Sequence, residues 1–342
     1  MLNSFQFSKD KFLTSILDFL WRQWSTLGVA GQRGLDDDCI IDPEALLLAT
    51  THFGRYDSRL LDEVIDWLCM NGNRINIQRL RRLNEQWPIA DLRVINAICG
   101  ILTKQSTMRK WAMVAAPITL TSSPTPLFVD YNDRAIPIFQ EPDANFLHHG
   151  MLRDPIELRG MSRPPDPMIA SNLLCCVRAL FGVNARAEII AWLLTHESGH
   201  PAAIARDTGY FSKSIQHTLN EMEDSGHIRS HKDGREKRFW IKPTDWKFLI
   251  TSPNPVAFPR WVDWMPIFSA ITTFIDALSA AGLGEESEQV QSIQLRQAFD
   301  STLPAFTRAG IVERLATTRE QTGNRIATNL IADLDLLMGF LK

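Results

Sequence analysis

Apolar positions recur at helical intervals along most of the chain. From Lys11 to Leu27 the series Phe12, Ile16, Leu20, Trp24 and Leu27 shares one helical face, and Gly28 and Gly31 end the pattern. A second block predicts helices over Pro43 to Thr51, Ser58 to Met70, Ile75 to Gln86 and Ile89 to Lys104, broken once at Asn71, Gly72 and Asn73. The periodicity then stops. Nine of the 18 prolines fall between Pro117 and Pro167, and a proline inside a helix removes a hydrogen bond and clashes with the preceding turn. Residues 113–169 therefore read as an extended connector, in which the apolar runs of PLFVDYNDRAIPIF flank Asn132 and Asp133 and predict a small β-hairpin. Helical spacing resumes at Ala170. After Pro253, Pro255 and Pro259, one stripe gathers Trp264, Phe268, Ile271, Ile275 and Leu278, and a later one gathers Ile326, Leu330, Leu334, Leu337 and Leu341. Both suit core or dimer helices. A ligand pocket lined by Trp261, Trp264 and Phe268 is the rarer use of such aromatics.

These patterns give a mainly α, multi-domain chain: an N-terminal helical domain over 1–112, the proline-rich connector with its hairpin over 113–169, a central domain over 170–250 and a C-terminal helical domain over 251–342. The central domain carries the clearest chemistry. Ala187 to Thr195 forms a first apolar-faced helix, which stops near Ser198 and Gly199. Pro201 suits the first turn of a short helix running to Asp207, and Gly209 supplies the positive φ that ends it. Ser212 is the expected N-cap of a third helix reaching Asp224. In that helix Ile215, Leu219 and Met222 share one stripe, while Lys213, Gln216, His217 and Asn220 share the opposite one. Such polar, non-acidic side chains, with Ser214 beside them, can hydrogen-bond base edges or phosphates in a major groove.

Directly afterwards HIRSHKDGREKRFWIK places two strand-length runs around Asp233-Gly234, a dipeptide that favours a two-residue hairpin turn. Six basic residues, Arg229, Lys232, Arg235, Lys237, Arg238 and Lys242, stand there against Asp233 and Glu236, in a chain whose net charge is -3. The basic charge is local. Strand alternation puts Phe239 and Ile241 toward the core, with Arg238 and Trp240 outward.

The order helix, short helix with PAAIARDTGY, helix with SKSIQHTLNEMEDSG and basic hairpin resembles the winged helix-turn-helix of bacterial transcriptional regulators of the arsenical-repressor and multiple-antibiotic-resistance-regulator kinds, over residues 185–242. The resemblance implies sequence-specific binding of double-stranded DNA by a homodimer. It places Ser212, Lys213, Ser214, Gln216, His217 and Asn220 on the DNA-facing helix and Arg229, Lys232, Arg235, Lys237 and Arg238 on the wing. Metal sensing does not carry over, because no cysteine lies in the module. The rival reading is a protein-binding adaptor, such as an antitoxin-like partner, whose basic wing is merely solvated.

Composition narrows the classes further. With 45% hydrophobic and 22% charged residues the chain is globular. Its five cysteines, Cys39, Cys69, Cys99, Cys175 and Cys176, form no CxxC pair, which points to a reducing, cytoplasmic setting. Charges interrupt every apolar run long enough to span a bilayer, so no membrane association is expected. Arg74, Arg79, Arg81, Arg82 and Arg93 make residues 58–104 readable as a second, degenerate helix-turn-helix or as a solvated helical face. His196 and His200 are four apart, but Gly199 and Pro201 break the helix a shared metal would need, so structural or capping roles are expected of them and of His148 and His149. Core burial accounts for the Cys175-Cys176 pair better than a redox switch does. There is no Walker loop, dinucleotide-binding glycine pattern, HExxH or GxSxG, and neither catalysis nor a cofactor is expected.

Overall fold

The computed structural model describes residues 2–31, 39–115, 123–249, 258–279 and 288–308. The chain is mainly helical. Helix α1 (Leu2–Thr26) is followed by α2 (Pro43–Phe53), α3 (Ser58–Asn71), α4 (Ile77–Gln86) and α5 (Leu92–Leu102). Each of the last four starts on a carboxylate or amide cap: Asp42 accepts from the Ala45 amide, Asp57 from Leu60, Asn76 from Arg79 and Asp91 from Arg93. The caps explain why α4 and α5 begin later than apolar spacing alone predicts. Asn76 and Asp91 are extended, so the apolar Ile75 and Ile89 before them lie outside the helices.

The proline-rich stretch is packed rather than loose. Strand β1 (Thr125–Pro126) pairs in parallel with β2 (Met151–Leu152), and the short α6 (Ala144–His148) lies between them in sequence. The predicted hairpin is reduced to one antiparallel bridge, Val129 to Ala135, closed by a turn in which Asp133 has a φ of 59°. Contacts from elsewhere hold this turn: the Asp133 carboxylate accepts from Lys9 Nζ at 2.5 Å and from the Tyr56 hydroxyl at 2.7 Å. Phe146 and Met151 are fully buried, and Arg153 grips Asp62 through two hydrogen bonds of 2.6 and 3.0 Å.

Helices α11 (Trp264–Ser279) and α12 (Glu288–Arg308) return to the N-terminal block. Trp264 packs its ring 4.8 Å from Phe19 of α1, and Phe268, Ile271, Ile275 and Leu278 are buried in the same cluster. This stripe is consumed inside the chain as packing against α1, which leaves Trp264 and Phe268 in a core rather than on a pocket wall. The stripe Ile326, Leu330, Leu334, Leu337 and Leu341 lies outside the described residues.

A second cluster is built by α7 (Leu173–Phe181), α8 (Ala185–Leu193), α9 (Pro201–Thr208), α10 (Ser212–Asp224) and the hairpin β3 (Arg229–Asp233) and β4 (Glu236–Trp240). Its centre includes Ile190, Leu193, Ile204, Ile215, Leu219 and Phe239.

Buried charges join the two cores. The Arg178 guanidinium of α7 donates to both oxygens of Glu44 at 2.7 Å and to Glu188 of α8 at 2.5 Å. Arg79 of α4 donates to Asp42 and Glu44 at 2.5 to 2.6 Å and to the Thr208 carbonyl of α9 at 2.6 Å. Burial, the largest single influence, pushes the Asp42 carboxyl up, but the Arg79 guanidinium, the Ala45 amide and Arg178 together hold it below its ordinary range. Glu188 goes the other way. Burial raises it despite Arg178 and Arg79, and its Oε2 has no hydrogen-bond partner. The balance is intelligible, since three carboxylates share two guanidiniums.

The five cysteines are free thiols, and burial pushes Cys175 up to about 12, far from thiolate reactivity. No helix among the described residues is long and apolar enough to cross a membrane.

Candidate nucleic-acid interface

The candidate surface is assembled by α9, the turn after it, α10 and the hairpin. His200 is the N-cap of α9, its Nδ1 accepting from the Ala202 amide at 3.2 Å, and Gly209 ends the helix with a φ of 71°. His196 stacks flat on Trp192 with ring centroids 3.6 Å apart, and His148 and His149 meet edge to face at 4.9 Å. No group of three metal-ligating side chains occurs among the described residues.

Helix α10 then begins at Ser212. The expected cap is displaced by one residue, because Phe211 occupies the N-cap position and Ser212 is already helical, with no side-chain cap bond. The inward stripe is as its spacing demands: Ile215 and Leu219 are fully buried, and Met222 is nearly so. On the outer side Ser212, Lys213, Ser214, His217 and Asn220 are exposed, and Gln216 is half-buried. Gln216 donates to Asn220 at 3.2 Å, and His217 Nε2 lies 3.3 Å from Glu221, which also pairs with Arg186 at 2.7 Å. These are weak surface partners that a ligand can replace.

The hairpin is a regular antiparallel ladder from Arg229 opposite Trp240 to Asp233 opposite Glu236. Its two-residue turn is Gly234-Arg235, one position later than Asp233-Gly234. Gly234, with a φ of 61°, takes the first central place, where a type II′ turn needs glycine. The shift puts Arg235 at the tip. Lys232 and Arg235 are exposed, and Arg229 lies over the Trp240 ring at 5.4 Å.

Lys237 and Arg238 are half-buried and engaged within the chain. Lys237 Nζ pairs with Glu223 of α10, which also accepts from Ser230, and these two hydrogen bonds hold the Glu223 carboxyl below its ordinary range. Arg238 donates to the Ser198 hydroxyl and carbonyl, both at 3.1 Å. The physical reason is the acceptor each side chain reaches. Lys237 lies directly opposite Lys232 and Arg238 opposite His231, but Lys237 meets Glu223 of α10 and Arg238 meets Ser198 in the segment before α9.

Apolar patterning missed one element. Gly199 exchanges two 2.8 Å backbone hydrogen bonds with Phe239, adding an edge to the hairpin from the stretch before α9. A Cβ on Gly199 would lie 2.4 Å from the Trp192 ring, so the approach requires glycine. The glycine was visible in the sequence, but only as a helix stop.

Helix α4 meets this region at its base. Arg82 donates to the Gly209 carbonyl at 2.8 Å, and its guanidinium sits 3.7 Å over the Phe211 ring. With Arg79 buried and Arg93 paired to Asp91 at 2.8 Å, these three arginines are committed to internal contacts. Arg81, on the same helix as Arg79 and Arg82, is exposed. The outer stripe of α10 remains uncovered by α4.

The protein matches no protein-family model, no curated protein and no solved structure.

Proposed function

We propose that residues 170–250 form a winged helix-turn-helix and that the protein is a sequence-specific, duplex-DNA-binding transcriptional regulator. The observation that carries this reading is the exposed polar stripe of α10, which no described element covers, beside a hairpin whose tip cations Lys232 and Arg235 have no carboxylate partner among the described residues. The Gly199–Phe239 pairing supports it, because it braces the wing against the turn between α8 and α9.

In this mechanism the N-terminal half of α10 enters the major groove. Lys213, Gln216, His217 and Asn220 read base edges, and Ser212 and Ser214 sit at the groove's phosphate rim. Lys232 and Arg235 anchor a neighbouring phosphate or minor groove, and Arg229 adds charge at the root. Lys237 and Arg238 act as positioning residues, fixing the wing's angle to α10 and α9 through Glu223 and Ser198. A homodimer would pair two such helices on half-sites about one helical turn apart.

The test is operator binding by the full chain, with the site obtained by selecting bound genomic fragments. Lys213→Ala combined with Arg235→Ala is expected to abolish binding while the thermal transition is unchanged. Retained affinity with an unchanged salt slope would remove the assignment. Binding only in the presence of a second protein would favour the adaptor reading instead.

A further inference from the structure

A cleft of about 970 Å³ lies in the N-terminal block between the end of α1, the first turns of α3 and the stretch 159–163. Its lining is polar. One wall is pinned: the Gly160 and Ser162 amides donate to Asp66 at 2.7 and 3.3 Å, the Arg163 amide donates to the Gly28 carbonyl at 2.7 Å, and Asn71 Nδ2 donates to the Arg163 carbonyl at 3.1 Å. Gly28 has a φ of 103°, and a Cβ there would meet the Arg163 carbonyl at 2.3 Å, so the wall is seated as closely as backbone allows.

Three guanidiniums, Arg59, Arg159 and Arg163, border this cleft. Arg59 lies 5.6 Å over the Trp21 ring, and neither Arg59 nor Arg163 has a carboxylate partner among the described residues. Asp57, also at the cleft, is spent on the Leu60 amide and Trp21 Nε1. Glu63 is the anomaly. Its side chain is only 6% exposed, its nearest described cation is Arg159 at 3.5 Å, and its Oε2 has no hydrogen-bond partner among the described residues. Burial holds its carboxyl above its ordinary range even with Arg159 nearby. An unsatisfied buried carboxyl is costly in a merely structural position, and such groups concentrate at sites that bind something.

We infer that this cleft binds a small phosphate ester of nucleotide size, its phosphate held by the Arg59 and Arg163 forks and a hydroxyl or amino group of the ligand meeting the Glu63 carboxyl. Guanidinium forks match phosphate oxygens in pairs, and two of them without internal partners make the phosphate the dominant contact. The site stands apart from α10 and the hairpin and does not depend on DNA binding.

Isothermal titration of the full chain with adenosine 5′-monophosphate, inorganic phosphate and adenosine, without DNA, tests it. The monophosphate is expected to bind at least about tenfold more tightly than either fragment, and Arg59→Gln and Arg163→Gln each to weaken it by about tenfold or more. Both arginines are exposed, so an unchanged thermal transition shows that the variants fold. Glu63→Gln is expected to change affinity for the monophosphate while leaving that for inorganic phosphate as it was, which separates contact with the ligand from a structural role. No binding of the monophosphate, equal affinity in the arginine variants, or displacement of the monophosphate by duplex DNA overturns the proposal.

Discussion

Arginine and lysine meet opposite fates in two regions of this molecule. At the seam between the cores, Arg79 and Arg178 are fully buried, and carboxylates or carbonyls occupy their donors. At the hairpin tip, Lys232 and Arg235 are exposed and face none among the described residues. The seam cations therefore fix geometry, and the tip cations are the ones the proposed function assigns to a partner. Lys237 and Arg238 show how finely this divides. They belong to the same basic run but are committed to Glu223 and Ser198. Charge counted along a sequence does not distinguish a ligand contact from a brace.

The largest effect should come from breaking the seam. Arg178→Met strips Glu188 of the guanidinium that donates to it and leaves Glu44 with Arg79 as its remaining cation, and removal of one partner of a buried ion pair costs about 3–5 kcal/mol. Urea denaturation should show the midpoint collapsing, and adding Glu188→Gln should recover part of the loss. A variant that unfolds like the parent would mean the seam is not a determinant of stability. Next comes the brace. Gly199→Ala drives a methyl into Trp192 and Ile204, an overpacking cost of about 1–3 kcal/mol. It should also weaken DNA binding through the displaced wing, which a binding titration run beside the melt would show.

A smaller effect belongs to the hydrogen bond from Asn76 to the Tyr210 hydroxyl, which links α4 to the turn before α10. Tyr210→Phe should cost about 1 kcal/mol by leaving the amide short of a partner. Unchanged stability would show that solvent replaces the hydroxyl. The comparison between an uncommitted and a committed cation on one rung of the hairpin is sharpened most directly by salt. Lys232→Ala should reduce the salt slope of DNA binding by about one, whereas Lys237→Ala should leave it unchanged. Equal slopes in the two variants would erase the distinction.

The smallest predicted effect is on pH. Burial is the main cause holding His52 and His196 below the ordinary imidazole value of 6.5. The unfolded chain therefore binds protons that the folded one refuses, and these two groups make stability fall as pH drops below about 6.5, until their folded values are passed. Replacing both with Gln should flatten that part of the stability profile, as followed by denaturation at stepped pH. A variant with the parent's slope would assign the dependence elsewhere.

Elements whose partners are close in sequence were legible. The helices from Pro43 to Leu102 follow their apolar spacing to within a few residues, and both stripes of α10 face where their period puts them. The hairpin register was off by one, because Asp-Gly and Gly-Arg both suit a two-residue turn and cross-strand packing decides between them. Long-range pairings were not legible. Nothing in the local pattern around Glu44 announces Arg178, which is 134 residues away, and helix amphipathicity does not tell α11 that its apolar face belongs against α1. The polar cleft was equally hidden, since Arg59, Glu63 and Arg163 come together only when the stretch around Gly160 is drawn onto α3 by Asp66. Of the candidate site, the outward stripe of α10 could be read from spacing, whereas the internal commitments of Lys237 and Arg238 depend on acceptors supplied by other elements.

The uneven count of ions at the seam makes joining the two halves a chemical event as well as a mechanical one. Glu188, raised by burial and bound on one oxygen only, holds hydrogen ions more tightly once enclosed than it does in an open chain. Closing the seam therefore draws a hydrogen ion from solution at any acidity between its open and enclosed values. Its contribution is complete below the open value and fades as alkalinity rises through the enclosed one.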